Sequence, residues 1–420
     1  MAPPAPLPEP ARPHFRLVLS VLFVCALFLV LAALYGQRFP RMATQYDVWF
    51  RTDVNHYLQW IKFPGFIHRF PLHPATLVIL KPYGFLVGRF LAVDARFLPL
   101  FSLPVIVFHA ITLTGAAYRW DAQRFPVIIA LALLVGPLLL LAPVPESHTL
   151  GGLSLLMTAV CVRRRQSAEH YGNEGDTRRW TGHAFAWGLI ATGFSLSNLV
   201  PAVLVAVPLR RAFRPSKRQW FALAAMGASI LVLGGLQFLN RYRQESVPVD
   251  FATFVLSRFQ RWLLLPDGTA ILRSLRALVM APFGVPETSV FAYTSEAGVP
   301  YAGVILRDAP NVLQIAAAAG WMIGIARTYA RGSDREERFF IARCAFALLW
   351  LVVFHSFFAA DEAFMFAVHA WPFLFLPGLL ALRQGLATRD PLTLVSLGLA
   401  ILLSAVRTLV GLPALFRLPL

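Results

Sequence analysis

The residues able to do chemistry in this chain sit in a few short polar stretches between long apolar ones. The first stretch carries Asp47, Arg51, Asp53 and His56, and further along His68 and His73. The second is Pro145-Glu146-Ser147-His148. The third is a turn around Asn198. The fourth, 240–308, holds Arg258 and Arg261 among several arginines. The fifth runs from His355 to His369. Arginine offers a planar fork of donors that matches phosphate oxygens, so Arg51, Arg258 and Arg261 are candidate phosphate contacts. Acids and histidines are costly near lipid and commonly mark a functional cavity. Glu146, Asn198 and His355, with His56 and His73, are candidates to line one.

Each of these residues also has a plainer role open to it. Asp47 and Asp53 could cap helices or lie in water. Glu146 opens an apolar block, where a carboxylate complements the helix dipole. His68 and His73 lie beside prolines and could be interfacial. Arg258 and Arg261 alternate with Phe251, Phe254, Phe259 and Trp262, as on an amphipathic helix lying on a membrane. There the arginines could simply extend to lipid headgroups.

The elements that must position these residues are apolar blocks. Hydrophobic residues make up 57% of the 420 and charged residues 14%, against about 25% charged in a soluble domain. The blocks approach the ~20 residues that cross ~30 Å of hydrocarbon as a helix. An ordinary soluble or disordered chain is excluded, and an all-α, polytopic membrane protein is expected. Residues 1–16 are rich in Pro and Ala and read as a disordered tail. Residues 17–420 read as one transmembrane domain, with outer loops at 36–97 and 240–308. The first block, 17–35, exceeds a signal-peptide core and reads as a retained helix entering from the cytoplasm.

Further blocks fall near 73–92, 98–118, 124–143, 146–162, 181–196, 198–210, 220–239, 309–329, 339–358, 363–382 and 391–410. Basic clusters mark cytoplasmic loops. A cytoplasmic N-terminus and a cytoplasmic Arg163-Arg164-Arg165 require an even number of crossings between them, yet five blocks lie there. Residues 73–92 contain Lys81, Pro82, Gly84, Gly88 and Arg89, and are assigned to a non-spanning segment at the outer surface. Every basic cluster then falls on one side, with about eleven spans and an outer C-terminus. The 181–196 and 198–210 blocks are short and meet at Ser197-Asn198, the form taken by a broken helix facing a cavity.

The net charge of +17 belongs to these loops, and no nucleic-acid partner is expected. Cys25, Cys161 and Cys344 lie far apart inside apolar blocks and read as small core residues. No metal is expected, because metal-ligand spacing and HExxH or CxxC patterns are missing. A Walker loop is missing too, which argues against ATP-driven transport. No convincing internal repeat is present, which counts against several transporter classes.

Several short motifs, taken in order, carry a resemblance. They are Phe50-Arg51-Thr52-Asp53, HRFPLHP at 68–74, VPESHTL at 144–150, TGFSLSNLVP at 192–201 and HSFFAADEAFMFAVHAWP at 355–372. Together they resemble the GT-C superfamily of membrane glycosyltransferases, including poorly characterised bacterial members. The resemblance implies sugar transfer from a polyprenyl-phosphate carrier to a glycan or lipid acceptor, on the outer face of the bacterial inner membrane. It implies membrane lipids as neighbours and an acid of the first outer loop as the catalytic residue. By position that acid is Asp53, with Asp47 as second candidate; no cofactor is expected. The adjacent acidic pair of some members is missing. Flipping or transport of a lipid-linked glycan, or a non-catalytic place in a cell-envelope complex, would use the same cavity without a catalytic acid.

Overall fold

A computed structural model describes residues 13–45, 48–50, 52–62, 74–88, 94–120, 128–130, 132, 134–206, 268–294, 300–307, 311–332, 335–358 and 362–418, with single positions between 221 and 253. Asp47, Arg51, His73, Arg258 and Arg261, and the amphipathic helix expected around the last two, lie outside them. The described residues are mostly helical. In chain order the helices are α1 (Pro13–Arg38), α2 (Val54–Lys62), α3 (Pro74–Gly88), α4 (Leu98–Trp120), α5 (Gly136–Leu141), α6 (Ser147–His170), α7 (Glu174–Phe194), α8 (Leu199–Ala206) and α9 (Gly268–Leu275). A hairpin follows, β1 (Thr288–Thr294) and β2 (Pro300–Leu306), and then α10 (Val312–Arg331), α11 (Arg335–Phe357), α12 (Ala367–Thr388) and α13 (Pro391–Phe416).

Among the described residues four helical segments are long and apolar enough to cross a membrane: Phe15–Arg38, Ala95–Trp120, Arg335–Phe357 and Pro391–Phe416. Their outward faces are apolar as well as their inward ones. In α1, Val24, Phe28, Ala32 and Tyr35 recur at helical spacing and are buried, while Leu19, Leu22, Phe23 and Val30 are exposed. Helix α11 exposes Phe346, Leu349 and Val353, and α13 exposes Leu402, Val406 and Leu409. A helix apolar all round is at home in lipid, not in water. The chain is therefore a helical protein with a membrane-seeking exterior.

Where residues are described, the apolar blocks mark most of the helices, with three differences, while the 220–239 block lies almost wholly outside them. The 124–143 block is not one helix. The described part turns at Leu134, pairs Val135 with Phe283 in a bridge, and only then forms the short α5. Pro137 at the start of α5 lacks the amide that a continuing helix would need. The 146–162 block extends to His170, carrying the arginine run within the helix. The long loop contains the β1–β2 hairpin, antiparallel with Val290 opposite Val304, where only surface helices were expected. Its runs of Thr, Val, Phe, Tyr and Ile suit a pleated strand better than a helix.

The expected break between the two short blocks is present. Helix α7 ends at Phe194, a 3-10 turn covers Leu196–Asn198, and α8 begins at Leu199. Of the 73–92 segment, residues 74–88 are described and form α3. The end of α1 lies against the start of α4, so closely that a Cβ at Gly36 would sit 2.1 Å from the Ala95 carbonyl oxygen. The chain from 39 to 94 thus leaves and returns at one end of the α1–α4 pair. Helix α3 spans about 22 Å at ~1.5 Å per residue, and the Tyr83 hydroxyl donates to the Leu100 carbonyl near the start of α4 at 2.8 Å. On its other side it packs on α2, where a Cβ at Gly84 would sit against Ile61.

Candidate functional site

Two loops meet just before α2. The amide of Phe50 donates to the Val304 carbonyl and the amide of Val304 to the Val48 carbonyl, each at 2.7 Å. Residues 48–50 thereby add to the hairpin edge. The Trp49 indole donates to the Leu140 carbonyl at 2.8 Å, and the Phe50 ring packs on Phe364 at 4.9 Å between centroids. Held from three sides, Phe50 takes φ 49°, a left-handed conformation that costs a bulky residue about 1–3 kcal/mol. Asp53 follows three residues later, half-buried. Its carbonyl accepts the Tyr57 amide at 3.0 Å, so it stands at the head of α2. A carboxylate there also suits the helix dipole.

Tyr57 lies one helical turn below Asp53. Its hydroxyl donates to Ser147 Oγ at 2.6 Å in the buried interior. Ser147 in turn gives its amide to Glu146 Oε1 at 2.6 Å and its hydroxyl to the same oxygen at 3.2 Å. Glu146, 1% exposed, caps α6 through that amide. The dipole-complementing role read from the sequence is thus one that its geometry performs, while the same oxygen ends the Tyr57–Ser147 chain.

Beyond Glu146 the first turn of α6 meets the end of α11 and the start of α12. His148 and His369 lie 5.4 Å apart between ring centroids, and His369 Nε2 is 2.9 Å from the His148 carbonyl. Phe366 packs on His148 at 4.4 Å and on His355 at 3.9 Å. The ring nitrogens of His355 make no hydrogen bond of normal geometry to described groups, although the Phe358 backbone is near enough to act on the ring. Asn198, fully buried, reaches into the same space from the α7–α8 turn. Its side-chain amide donates to the Ala191 carbonyl at 2.9 Å, and its oxygen has no partner among the described residues. Asn198 and His369 converge over Gly151: a Cβ there would lie 2.6 Å from Asn198 Nδ2 and 3.1 Å from His369 Nε2.

Of the sequence-derived candidates, Asn198 and His355 fall around the His148–His369 pair, Glu146 lies two residues before His148, and Asp53 and His56 stand just before and within α2, whose Tyr57 reaches Ser147. The positions of Asp47, Arg51, His73, Arg258 and Arg261 are outside the described residues. Sequence reasoning missed Tyr57. Its signal was the four-residue spacing from Asp53, which puts both on one helix face. It also left His148 and His369 as corner residues, whereas they form the centre of the cluster. No three His, Cys, Asp or Glu side chains among the described residues are placed to hold one metal ion.

The arrangement is a half-buried carboxylate at the start of α2, a buried Tyr57–Ser147–Glu146 hydrogen-bonded chain that begins one turn further on, and three histidines next to Ser147. Such a chain can fix protonation states and orient a ligand at its outer end. No family model matches the chain, and neither a curated protein nor a solved structure is detectably similar to it.

Proposed function

We propose that this chain is a membrane glycosyltransferase of the GT-C kind. On this reading it has about eleven spans and moves a sugar from a polyprenyl-phosphate donor to a glycan or lipid acceptor at the outer face of the bacterial inner membrane. The observation that carries the reading is Asp53, half-buried at the start of α2, one helical turn from Tyr57, whose hydroxyl opens the buried Tyr57–Ser147–Glu146 chain. Helix lengths support the membrane geometry. His148 and Gln166 on α6 stand roughly 27 Å apart, as do Glu337 and His355 on α11, at ~1.5 Å per residue. The histidine cluster and the arginine-rich ends are thus separated by about a hydrocarbon thickness.

In the reaction Asp53 accepts the proton of the acceptor hydroxyl. The acceptor oxygen forms a bond to the anomeric carbon as the bond from that carbon to the carrier phosphate breaks. The products are the glycoside and the polyprenyl phosphate, with the proton on Asp53 and then released. Arg51, Arg258 and Arg261 would hold the phosphate as its charge develops. Asp47 is the second candidate for base. The buried histidines and Asn198 would position the acceptor from below.

Purified protein and a radiolabelled polyprenyl-phosphate sugar test the reading. Transfer by the wild type, lost in Asp53→Asn while donor binding persists, is the expected result. Donor binding without transfer in the wild type would reject the enzyme reading and favour a flippase.

A further inference from the structure

At the end of the bundle away from Asp53 there is a polar cavity of about 230 Å³, several times the ~30 Å³ share of one water molecule. It is framed by the last turn of α4, the second half of α6, the first turn of α11 and the last third of α12. Its rim carries Arg119, Arg164 and Arg383, all exposed, from three different helices. Arg163 also lines it and is matched, with its guanidinium 2.6 Å from Glu337. Glu337 is further held by the Gln384 amide. Glu336 is the one remaining lining carboxylate among the described residues, so the rim keeps a positive excess.

The lining also includes a group that a plain solvated rim does not explain. Gln166 is 2% exposed, and neither its amide nitrogen nor its amide oxygen has a hydrogen-bond partner among the described residues. A buried primary amide left unsatisfied at both atoms is rare; both atoms lie just behind the cavity wall, so a turn of the side chain brings them to a guest. A guest that accepts from the nitrogen and donates to the oxygen suits it, which is what a singly protonated phosphate or a phosphate beside a hydroxyl does. Trp120 and Tyr171 give the cavity apolar flanks.

We infer that this cavity is a phosphate-binding site, separate from the sugar-transfer site, in which Arg119 and Arg383 clamp the phosphate and Gln166 reads its protonated or hydroxyl-bearing side. The phosphate can arrive on an anionic lipid headgroup, since basic pockets between membrane helices suit such groups, or as a free ion from solution. The site does not depend on Asp53 chemistry and stands if the transferase reading falls.

The test uses the full chain in detergent or nanodiscs. One arm measures equilibrium binding of inorganic phosphate. The other measures retention of phosphatidylglycerol against phosphatidylcholine by native mass spectrometry. Losing a charge-assisted contact should weaken binding roughly tenfold or more, so Arg119→Gln with Arg383→Gln should abolish most of it, and Gln166→Leu should weaken it less. Both arginines are exposed, so their replacement should leave thermal unfolding unchanged. Selective phosphatidylglycerol retention that the double variant loses identifies a headgroup site. Phosphate binding without lipid selectivity identifies a free-phosphate site. Binding in neither arm, or binding unaltered by all three substitutions, overturns the inference and leaves a water-filled cavity.

Discussion

Gly151→Ala tests the centre of the histidine cluster. The added Cβ would lie 2.6 Å from Asn198 Nδ2, and ordinary contact begins at 3.4 Å, so Asn198 must retreat by about 0.8 Å (3.4 less 2.6). Its amide now donates to the Ala191 carbonyl at 2.9 Å, and a shift of that size breaks the bond. A buried donor left unsatisfied costs about 1–3 kcal/mol, and overpacking a tight interior costs about the same. Replacing Gly by Ala within a helix returns about 1 kcal/mol. The net expectation is a loss of roughly 1–5 kcal/mol, seen as a fall in unfolding temperature. Gly182→Ala is the matched control, because a Cβ there meets nothing within 4 Å. It should be neutral or stabilising by up to ~1 kcal/mol. Thermal unfolding of both variants in one detergent measures the difference. Equal behaviour of the two would refute the convergence of Asn198 and His369 over Gly151.

Asp53→Asn should cut sugar transfer by about 10²–10⁴-fold with donor binding intact, and Asp47→Asn should do less; parallel transfer and binding assays measure both. Tyr57→Phe removes a buried hydroxyl bonded to Ser147 and should cost about 1 kcal/mol of stability, read by thermal unfolding. Cysteines at the exposed positions Thr44 and Arg96 should label from the same side of the membrane, and one at Glu174 from the other; Thr44 and Arg96 labelling from opposite sides would make α3 a span. Glu287 accepts from the Asn311 amide and lies near Arg407 and Arg307, which together hold its carboxyl below the ordinary carboxylate range. Its stabilising contribution is therefore present above the unfolded-chain value and lost as pH falls through the folded one. Glu287→Gln should be less stable than wild type near neutral pH, by about 1 kcal/mol, and equal to it in acid, as unfolding at the two pH values would record.

Much of the helical layout was legible because lipid-facing helices must be apolar wherever they touch hydrocarbon. The break at Ser197-Asn198 was legible because a polar turn between short apolar runs has few other uses. Parity showed that one block does not span, and Lys81, Pro82, Gly84, Gly88 and Arg89 singled out 73–92; the closeness of Gly36 to Ala95 is compatible with that reading. The β1–β2 hairpin was not read, although Thr288–Thr294 and Pro300–Leu306 are strand-like runs separated by a short segment containing Gly298. The interleaved arginines nearby had favoured a helical period for the whole loop. Partnerships across the bundle were beyond reach. Nothing local distinguishes Gln166 from its arginine neighbours, because which residue of a polar run is buried depends on packing from elsewhere in the chain. Tyr57 meeting Ser147 depends likewise on a packing across 90 residues of chain.

The closure of α1 on α13 bears on how the protein is made. The Arg38 guanidinium donates to the Phe416 carbonyl at 2.9 Å and to that of Leu418, and Tyr35 stacks on Phe416 at 5.6 Å. Arg38 and Phe416 are 378 residues apart in sequence. At ~5–20 residues per second of synthesis, roughly 20–75 s pass between the emergence of Arg38 and that of its acceptors. Through that interval Trp49 and Leu139 can already cover part of Tyr35, but the ring face turned to Phe416 stays open and Arg38 lacks these two acceptors. This end of α1 is sealed only when α13 arrives, so synthesis halted before Phe416 leaves an open seam there.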